Sequence, residues 1–301
     1  MQTEDNIARQ GVIYAISAYL MWGIAPIYFK YLHGVAALEI LGHRIVWSFV
    51  FLAILIHTRK QWGMVQQTIR LRRKWALLSV TALLVGANWL IFIWAINNDH
   101  LLDASLGYYI NPLLNVILGM LFLGERLRRL QWFAVFLATV GVAIQLIVFG
   151  SIPIVAIGLA ITFGLYGLLR KKVAVDSQTG LFIETLMLLP LALIYLLLIA
   201  QSPTSNMFIN SLSMNGLLML AGIVTTLPLL CFAGAATRLR LSTLGFFQYI
   251  GPSIMFVLAT VFYGEPLTLD KLVTFAFIWL ALVVFSADGL RQRKRPMVQQ
   301  S

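Results

Sequence analysis

A few ionisable side chains interrupt apolar stretches of this sequence, and the most distinctive group lies between residues 39 and 44. Glu39 and His43 are four residues apart, which places them one turn apart on the same face of a helix, with Arg44 about 100° around it. In hydrocarbon, an arginine within a helix costs about 2.5–3.5 kcal/mol, so such residues usually face a protein interior or a wet cavity. We therefore predict that these three residues lie on the pathway of a transported solute; for Arg44 a structural ion pair or an interface anchor is the alternative.

The sequence contains none of the common signatures of catalysis. Its four histidines form no HExxH pair, and there is neither a GxSxG nucleophile motif nor a Walker phosphate-binding motif. Asp99 and Asp103 have a spacing that could suit a metal or an acid–base pair, but a polar loop with Asp103 as a helix N-cap explains them better. We expect a protein that is not an enzyme, that uses no metal or cofactor, and that ATP does not drive directly.

The composition requires a lipid environment. Hydrophobic residues make up 60% of the 301 residues and charged residues only 11%, whereas soluble globular domains have about 45–50% and about 25%. So few charged groups cannot cover a water-soluble protein of this size, and so many apolar residues exclude a disordered chain. A single cysteine, Cys231, excludes a scaffold of disulfides within the chain. Because it lies in an apolar run, we expect it to be a packing residue rather than a nucleophile.

Ten apolar runs are long enough to cross a hydrocarbon core as helices, which takes about 17–25 residues. The sixth is the weakest, because Arg170, Lys171 and Lys172 cut it short. We expect the first run to be a span rather than a cleaved signal peptide. The sequence therefore predicts an all-α integral membrane protein with ten transmembrane helices. The predicted spans are 11–31, 37–56, 75–97, 103–123, 131–149, 152–170, 180–200, 213–236, 242–263 and 270–288.

The positive charges lie almost entirely on one side of these predicted spans. Of the 22 lysines and arginines, all but Lys30, Arg44 and Lys271 fall in segments that share a side with the N-terminus. Because cytoplasmic loops retain such residues, we predict that both termini are cytoplasmic. The net charge of +11 then indicates topology anchors that touch membrane lipid rather than a nucleic-acid surface. Lys30, at the end of the first span, belongs either to a solute pathway or to the interface.

The second half of the chain repeats the first. At an offset of 140 residues Pro112 aligns with Pro252 and Gly124 with Gly264, and a window about ninety residues earlier aligns at nearly the same offset. Chance similarity between apolar segments would not readily give nearly the same offset in two separate segments of the chain. The sequence therefore divides into a tail of residues 1–10, a first five-helix repeat over 11–149, a second over 150–288, and a tail of residues 289–301.

Each predicted repeat holds five spans, and this odd number has a topological consequence. The second repeat must enter the membrane from the opposite side, so the two are predicted to be inverted about an axis in the membrane plane. Many secondary transporters, and some channels, have this plan, and the transporters hold their solute near the midplane between the halves. Arg44 aligns with Glu184, and we predict that both face this shared cavity, close enough to compensate each other's charge.

Prolines inside the predicted spans are a second class of candidates. Each removes a backbone donor and frees a carbonyl, which is tolerated beside a wet cavity or suitable neighbours. We expect these prolines and nearby aromatic and amide residues to line the cavity, with packing as the alternative. Gly124 and Gly264 end two spans and are predicted caps and hinges. The prolines are Pro26, Pro112, Pro228 and Pro252, and the lining candidates are Trp22, Asn88, Trp89, Tyr108, Tyr109, Asn111, Gln248 and Tyr249.

Three segments, residues 9–30, 39–48 and 104–119, carry a resemblance to a known family. They resemble the RarD permeases, which are EamA-type members of the drug/metabolite transporter superfamily, and the resemblance covers essentially the whole chain. It implies ten spans in two five-helix repeats, a location in the bacterial inner membrane, and transport.

These features together predict a secondary transporter that moves a small metabolite or drug-like solute by alternating access. Efflux is favoured because aromatic and apolar groups dominate the spans, while import of amino-acid-like solutes stays open. A proton is a candidate coupling ion, and the sequence does not indicate an oligomeric state. The alternative is a passive channel or a lipid-handling protein; a carrier shows saturable flux and counter-exchange, whereas a channel conducts without saturation.

Overall fold

The described part of the chain is helical apart from its turns and loops. The structure, a computed structural model, describes residues 2–98, 100–202, 204–262, 264 and 267–293, and no strand occurs among them. Ten segments in these ranges are long and apolar enough to cross a membrane, which confirms the predicted all-α membrane protein with ten spans. Spans 1 to 10 are Asn6–Lys30, Ala37–Thr58, Arg72–Ala95, Asp103–Leu123, Arg129–Phe149, Ile154–Val173, Ser177–Ile199, Leu212–Arg238, Leu241–Phe262 and Leu269–Gly289.

Twelve α-helices lie in the described residues. Most spans are built on one helix, whereas span 9 contains two, and one short helix lies outside the spans. Spans 7 and 9 end in π-helical turns at Tyr195–Ile199 and Leu258–Phe262. The helices are α1 (Gln2–Lys30), α2 (Ala37–Thr58), α3 (Trp62–Arg70), α4 (Arg72–Asn97), α5 (Leu101–Leu123), α6 (Arg129–Phe149), α7 (Ile154–Val173), α8 (Ser177–Ile194), α9 (Leu212–Arg238), α10 (Leu241–Gln248), α11 (Ile250–Val257) and α12 (Leu269–Arg293).

The helices depart from the predicted elements at both ends of the chain and between spans 2 and 3. Residues 2–10, which are predicted to be a polar tail, form the beginning of α1 instead. Helix α3 occupies a segment for which the sequence predicts only a loop. Helix α12 extends into the predicted tail of residues 289–301 as far as Arg293, and the rest of that tail lies outside the described residues.

Helix α5 is tied to the second half of the chain by a carboxylate near its start. Asp103 accepts hydrogen bonds from the backbone N–H groups of Ala156, at 3.0 Å, and Val155, at 3.4 Å. These donors lie at the start of α7, where a helix has no internal partners for its N–H groups. The prediction that Asp103 caps its own helix is therefore wrong: His100 holds the N-cap position of α5, and Asp103 caps α7.

Spans 2 and 8 approach each other very closely at Gly222. A Cβ atom at this position would lie 2.4 Å from the carbonyl carbon of Trp47 and 2.6 Å from the backbone nitrogen of Ser48. The Ser48 hydroxyl donates a hydrogen bond to the Gly222 carbonyl oxygen at 3.1 Å. Small residues permit such contacts in membranes, where packing and hydrogen bonding, rather than the hydrophobic effect, hold helices together.

Replacement of Gly222 by alanine is expected to destabilise the protein, because the added Cβ must push span 8 away from the backbone of span 2. Overpacking of this kind costs about 1–3 kcal/mol. Gly216→Ala is a matched control on the same helix, since no atom lies within 4 Å of a Cβ there. It should be neutral or slightly stabilising, because alanine favours the helix. Thermal unfolding in detergent compares the two variants; equal melting temperatures would contradict the close contact.

Candidate solute cavity

The two halves of the chain enclose a cavity of about 190 Å³. Spans 1 to 4 line it from the first half, and spans 6, 8 and 9 line it from the second half. Its volume is below the roughly 300–1,000 Å³ of pockets that hold drug-sized ligands, so it suits a small solute. Nine of the predicted site residues line it: Trp22, Pro26, Arg44, Asn88, Trp89, Tyr108, Asn111, Gln248 and Pro252.

The cavity lies away from the end of the bundle at which span 1 begins. We call that end the basic end, because most lysines and arginines cluster there, and the other the opposite end. Spans 1 and 3 contribute residues from their second halves, such as Phe29 and Phe92, whereas spans 2 and 4, which run back, contribute Arg44 and Gly107 from their first halves. The cavity therefore lies between the middle of the bundle and the opposite end.

Arg44 supplies a positive charge to the cavity wall. Its Nε–H donates a hydrogen bond to the hydroxyl oxygen of Thr225 at 2.8 Å. The guanidinium carbon lies 5.1 Å from the ring centre of Trp89 and 5.6 Å from that of Phe29, within the range of cation–π attraction. No ion pair among the described residues includes Arg44. The positive charge is therefore held in place without a carboxylate partner.

Amide side chains connect the spans around the cavity. Asn88 donates to the carbonyl oxygen of Leu159 at 3.0 Å, and Asn111 donates to that of Ala160 at 2.9 Å, which joins spans 3 and 4 to span 6. Asn115 lies one turn beyond Asn111 and donates to its side-chain oxygen at 2.9 Å. These buried amides fix the relative positions of the spans and leave the cavity with a neutral polar side.

An aromatic cluster closes the cavity toward the basic end. Tyr19, Trp22, Phe163, Tyr166 and Phe232 form this cluster, with neighbouring ring centres 4.9–6.4 Å apart. Most of these rings are fully buried. Along spans 1, 6 and 8 the cluster residues lie at the cavity and between the cavity and the basic end. We call this cluster the aromatic floor of the cavity.

Two charged side chains hold the loop between spans 8 and 9 at the basic end. Glu125 accepts hydrogen bonds from the backbone N–H groups of Leu241, at 2.6 Å, and Ser242, at 3.0 Å, and so caps α10. The Lys171 ammonium group donates to the carbonyl oxygen of Leu239, just after α9. Because Glu125 belongs to the first half and α10 to the second, the bonds of Glu125 join the two halves below the aromatic floor.

Glu184 lies outside the cavity in a buried ion pair with Arg170. Their nearest nitrogen and oxygen atoms are 3.6 Å apart, and both side chains are at most 1% exposed. The hydroxyls of Thr81 and Tyr166 also donate to the carboxylate, at 2.6 and 3.2 Å. Glu184 therefore pairs with Arg170 and not with Arg44, which corrects the prediction. Repeat symmetry makes the positions of Arg44 and Glu184 equivalent, but two equivalent positions are in contact only when they lie near the symmetry axis.

Glu39 and His43 lie against the end of span 7 and outside the cavity. Both are buried, and the Ser202 hydroxyl donates a hydrogen bond to the Glu39 carboxylate. Within the described residues, the other carboxylate oxygen of Glu39 and both ring nitrogens of His43 are buried without a hydrogen-bond partner. The pair therefore forms a separate titratable site near the opposite end.

Several of the other predicted residues outside the cavity have backbone or packing roles. Tyr249 is buried, and its hydroxyl donates to the carbonyl oxygen of Tyr109 at 3.2 Å. Gly124 and Gly264 have left-handed φ angles of 64° and 66°, which glycine adopts without strain. The predicted residues that do not line the cavity are Lys30, Glu39, His43, Tyr109, Glu184, Tyr249, Pro112, Pro228, Gly124 and Gly264.

Twelve further residues line the cavity that the sequence analysis does not single out. Most are apolar, and their types do not differ from those of residues that face lipid. The hydroxyl of Thr225 within a long apolar run was a usable signal. The added lining residues are Tyr19, Ala25, Phe29, Phe92, Ala104, Gly107, Leu159, Phe163, Thr225, Leu229, Gly251 and Met255.

Similarity to known proteins establishes the family. The model of the EamA-like transporter family matches the chain twice, at residues 9–147 and 150–287. The chain belongs to this family. An uncharacterized transporter of Vibrio cholerae is 68% identical over 97% of this chain and 96% of its own. Protein RarD of Salmonella typhimurium is 61% identical over 95% and 98%, and that of Escherichia coli 59% over 95% and 97%.

The fold also resembles a solved one. A protein crystal structure superimposes with a TM-score of 0.71 at 18% identity, and the match covers 92% of this chain and 97% of that one. At this identity the likeness concerns the fold alone. Family membership and the ten apolar spans together make the chain a multi-pass membrane protein with a general role in transport.

Replacement of Glu184 by leucine is expected to destabilise the protein strongly, because it leaves the fully buried Arg170 without a counter-charge. Breaking a buried pair in this way costs about 3–5 kcal/mol. The double variant Arg170→Met/Glu184→Leu removes both charges and should recover most of the loss. Thermal unfolding in detergent compares the three proteins. Single and double variants with the same melting temperature would contradict a charge coupling between these residues.

Proposed function

We propose that the protein is a secondary active carrier that moves a small metabolite or drug-like solute across the bacterial inner membrane by alternating access. The observation that carries this proposal is the cavity, which both halves line and which an aromatic floor closes toward the basic end. A cavity that lies off-centre and is closed on one side by a floor suits a carrier in one of its two facing states, whereas a conducting channel needs a continuous path. This difference favours a carrier over the channel alternative.

The contacts between spans support an inverted relation between the two halves. Span 2 packs against span 7, span 4 against span 9, and span 5 against span 10, so each of these spans touches its own repeat mate. The contact between spans 1 and 8 likewise has a counterpart between spans 3 and 6. An axis in the membrane plane that relates two five-span units produces this pattern, and such units can exchange roles around a fixed site.

The charge distribution gives the proposed orientation. Lysines and arginines concentrate at the basic end, which indicates that this end and both chain termini are cytoplasmic. With that orientation the cavity faces the outside of the cell, and the aromatic floor and the Glu125 cap close its cytoplasmic side. Opening toward the cytoplasm then requires separation of the first half from α10.

A cavity-filling substitution tests the transport function. Gly251 lines the cavity, and the atom nearest to a Cβ there is 3.8 Å away, so Gly251→Met fills the cavity without a clash at its base. Counterflow of radiolabelled amino acids, carboxylates, amines and nucleosides into proteoliposomes measures transport. We expect saturable counterflow of at least one solute in the unmodified protein and its loss in Gly251→Met.

Gly216→Met is the matched control for this experiment, because Gly216 is exposed and far from the cavity. It should keep full counterflow. Conductance without saturation and without counter-exchange would support a channel instead, and normal counterflow in Gly251→Met would exclude this cavity as the solute pathway.

We further propose that transport is coupled to protons through Glu39 and His43. The pair is buried near the proposed outer face and keeps polar atoms without partners within the described part of the chain. A titratable pair inside a span is a common element of proton pathways. Because the proton gradient drives protons into the cell, exchange of a proton for the solute moves the solute outward, which gives efflux.

Substitution of the pair should separate coupling from transport. Glu39→Gln and His43→Gln are expected to abolish accumulation driven by an imposed pH gradient but to retain counterflow, which needs no net driving force. His57→Gln is the control, because His57 lies on the same helix but is exposed at the basic end. Full pH-driven accumulation in both variants of the pair would show that protons couple elsewhere or not at all.

A further inference from the structure

The geometry around Arg44 leaves one edge of its guanidinium group free. The rings of Trp89 and Phe29 lie within cation–π distance of the group, and Nε–H is bonded to Thr225. The two terminal amino groups make no hydrogen bond to any described residue. They therefore present parallel donors beside the cavity, an arrangement that matches the two oxygens of a carboxylate.

The remaining wall restricts the charge and shape of a ligand. The described lining residues include no aspartate or glutamate and no cation other than Arg44. Neutral donors and acceptors come from Asn88, Asn111, Gln248, Tyr108 and Thr225, and most of the remaining lining is aromatic or aliphatic. One positive charge in a small, mainly apolar space favours a monoanion, because a dianion would keep an unpaired negative charge in a region of low polarity.

A fully buried arginine elsewhere among the described residues shows how a structural charge is treated in the same fold. Arg170 is fully buried beside Glu184, whereas Arg44 has no such partner and lies at the cavity wall. The cost of an uncompensated charge in a span is substantial, so its position at the cavity calls for a negative group that arrives with the ligand.

We infer that the transported solute is a monocarboxylate with a compact apolar body, and that Arg44 is the specificity residue that binds its carboxylate. This inference rests on the proposed transport function and names the solute class of the same cavity. The apolar body lies against the aromatic side of the wall, and the amides bind small polar substituents. A membrane potential that is negative inside also favours the outward movement of such an anion.

Binding of matched compounds to the purified protein in detergent tests the inference. One series is hexanoate, hexanamide and hexylamine; a second is 3-phenylpropanoate, its amide and its amine. Trp22 and Trp89 line the cavity, so tryptophan emission reports binding of the hexyl compounds, and the shift in melting temperature reports both series. We expect the carboxylates to bind at least about tenfold more tightly than the amides, as for a charge-assisted hydrogen-bonded pair.

Variants of Arg44 locate the effect. Arg44→Gln should lower carboxylate affinity about tenfold or more and leave amide binding unchanged, which also shows that the variant is folded. Arg44→Lys keeps the charge but loses the paired donors, so its carboxylate affinity should be intermediate. Arg59→Gln is the matched control, because Arg59 follows the same helix at its exposed basic end.

Three results would overturn the inference. These are equal or tighter binding of amides or amines, undiminished carboxylate binding in Arg44→Gln, and no binding of any carboxylate at millimolar concentration. If proteoliposomes show counterflow of a neutral or cationic solute in any of these cases, the transport proposal stands and only the solute class is wrong. Carboxylate binding without counterflow of any solute would instead refute transport and leave the binding site established.

Discussion

The cost of an unsatisfied polar group in hydrocarbon is the constraint on which this structure depends. Such a group costs several kcal/mol when neither water nor protein bonds to it. The chain meets this cost at Glu184 with an arginine and two hydroxyls, and at Asp103 and Glu125 with the backbone N–H groups of neighbouring helices. Arg44 lacks a counter-charge within the described residues, and this difference from Glu184 is the basis for its proposed role in binding a ligand.

The same constraint explains how the halves are joined. Asp103 and Glu125 lie near opposite ends of span 4, and each caps a helix of the second half, so span 4 is attached to α7 at one end and to α10 at the other. Between these points Asn111 donates to the backbone of Ala160 and Tyr249 donates to that of Tyr109, and the remaining contacts are mainly apolar and aromatic. Relative movement of the halves at this seam therefore requires these few directional bonds to break, whereas the apolar contacts can slide.

The fold could be read from the sequence to a greater extent than the site. Hydropathy defines the spans because every backbone group in lipid must be bonded within its helix, and Arg44 was found because charge is rare there. Helix α3 was missed because it is short and lies outside any apolar run. Phe29 and Gly107 could not be told from lipid-facing residues, since lipid and a partner helix are equally apolar. Arg170 could not be predicted as the partner of Glu184, because that prediction needs the rotation of span 6 about its axis, which no pattern in the sequence specifies.

The repeat conserves backbone features while its functional side chains differ. Glycines that end spans 4 and 9 occupy equivalent positions with nearly equal φ angles. In contrast, Tyr108 aligns with Gln248, and Arg44 aligns with a glutamate that is buried in an ion pair. Equivalent backbones allow the two facing states to have similar energies, which alternating access requires. Different side chains give the cavity a positive side in one half only, so in the proposed carrier a bound solute would have one preferred orientation in both states.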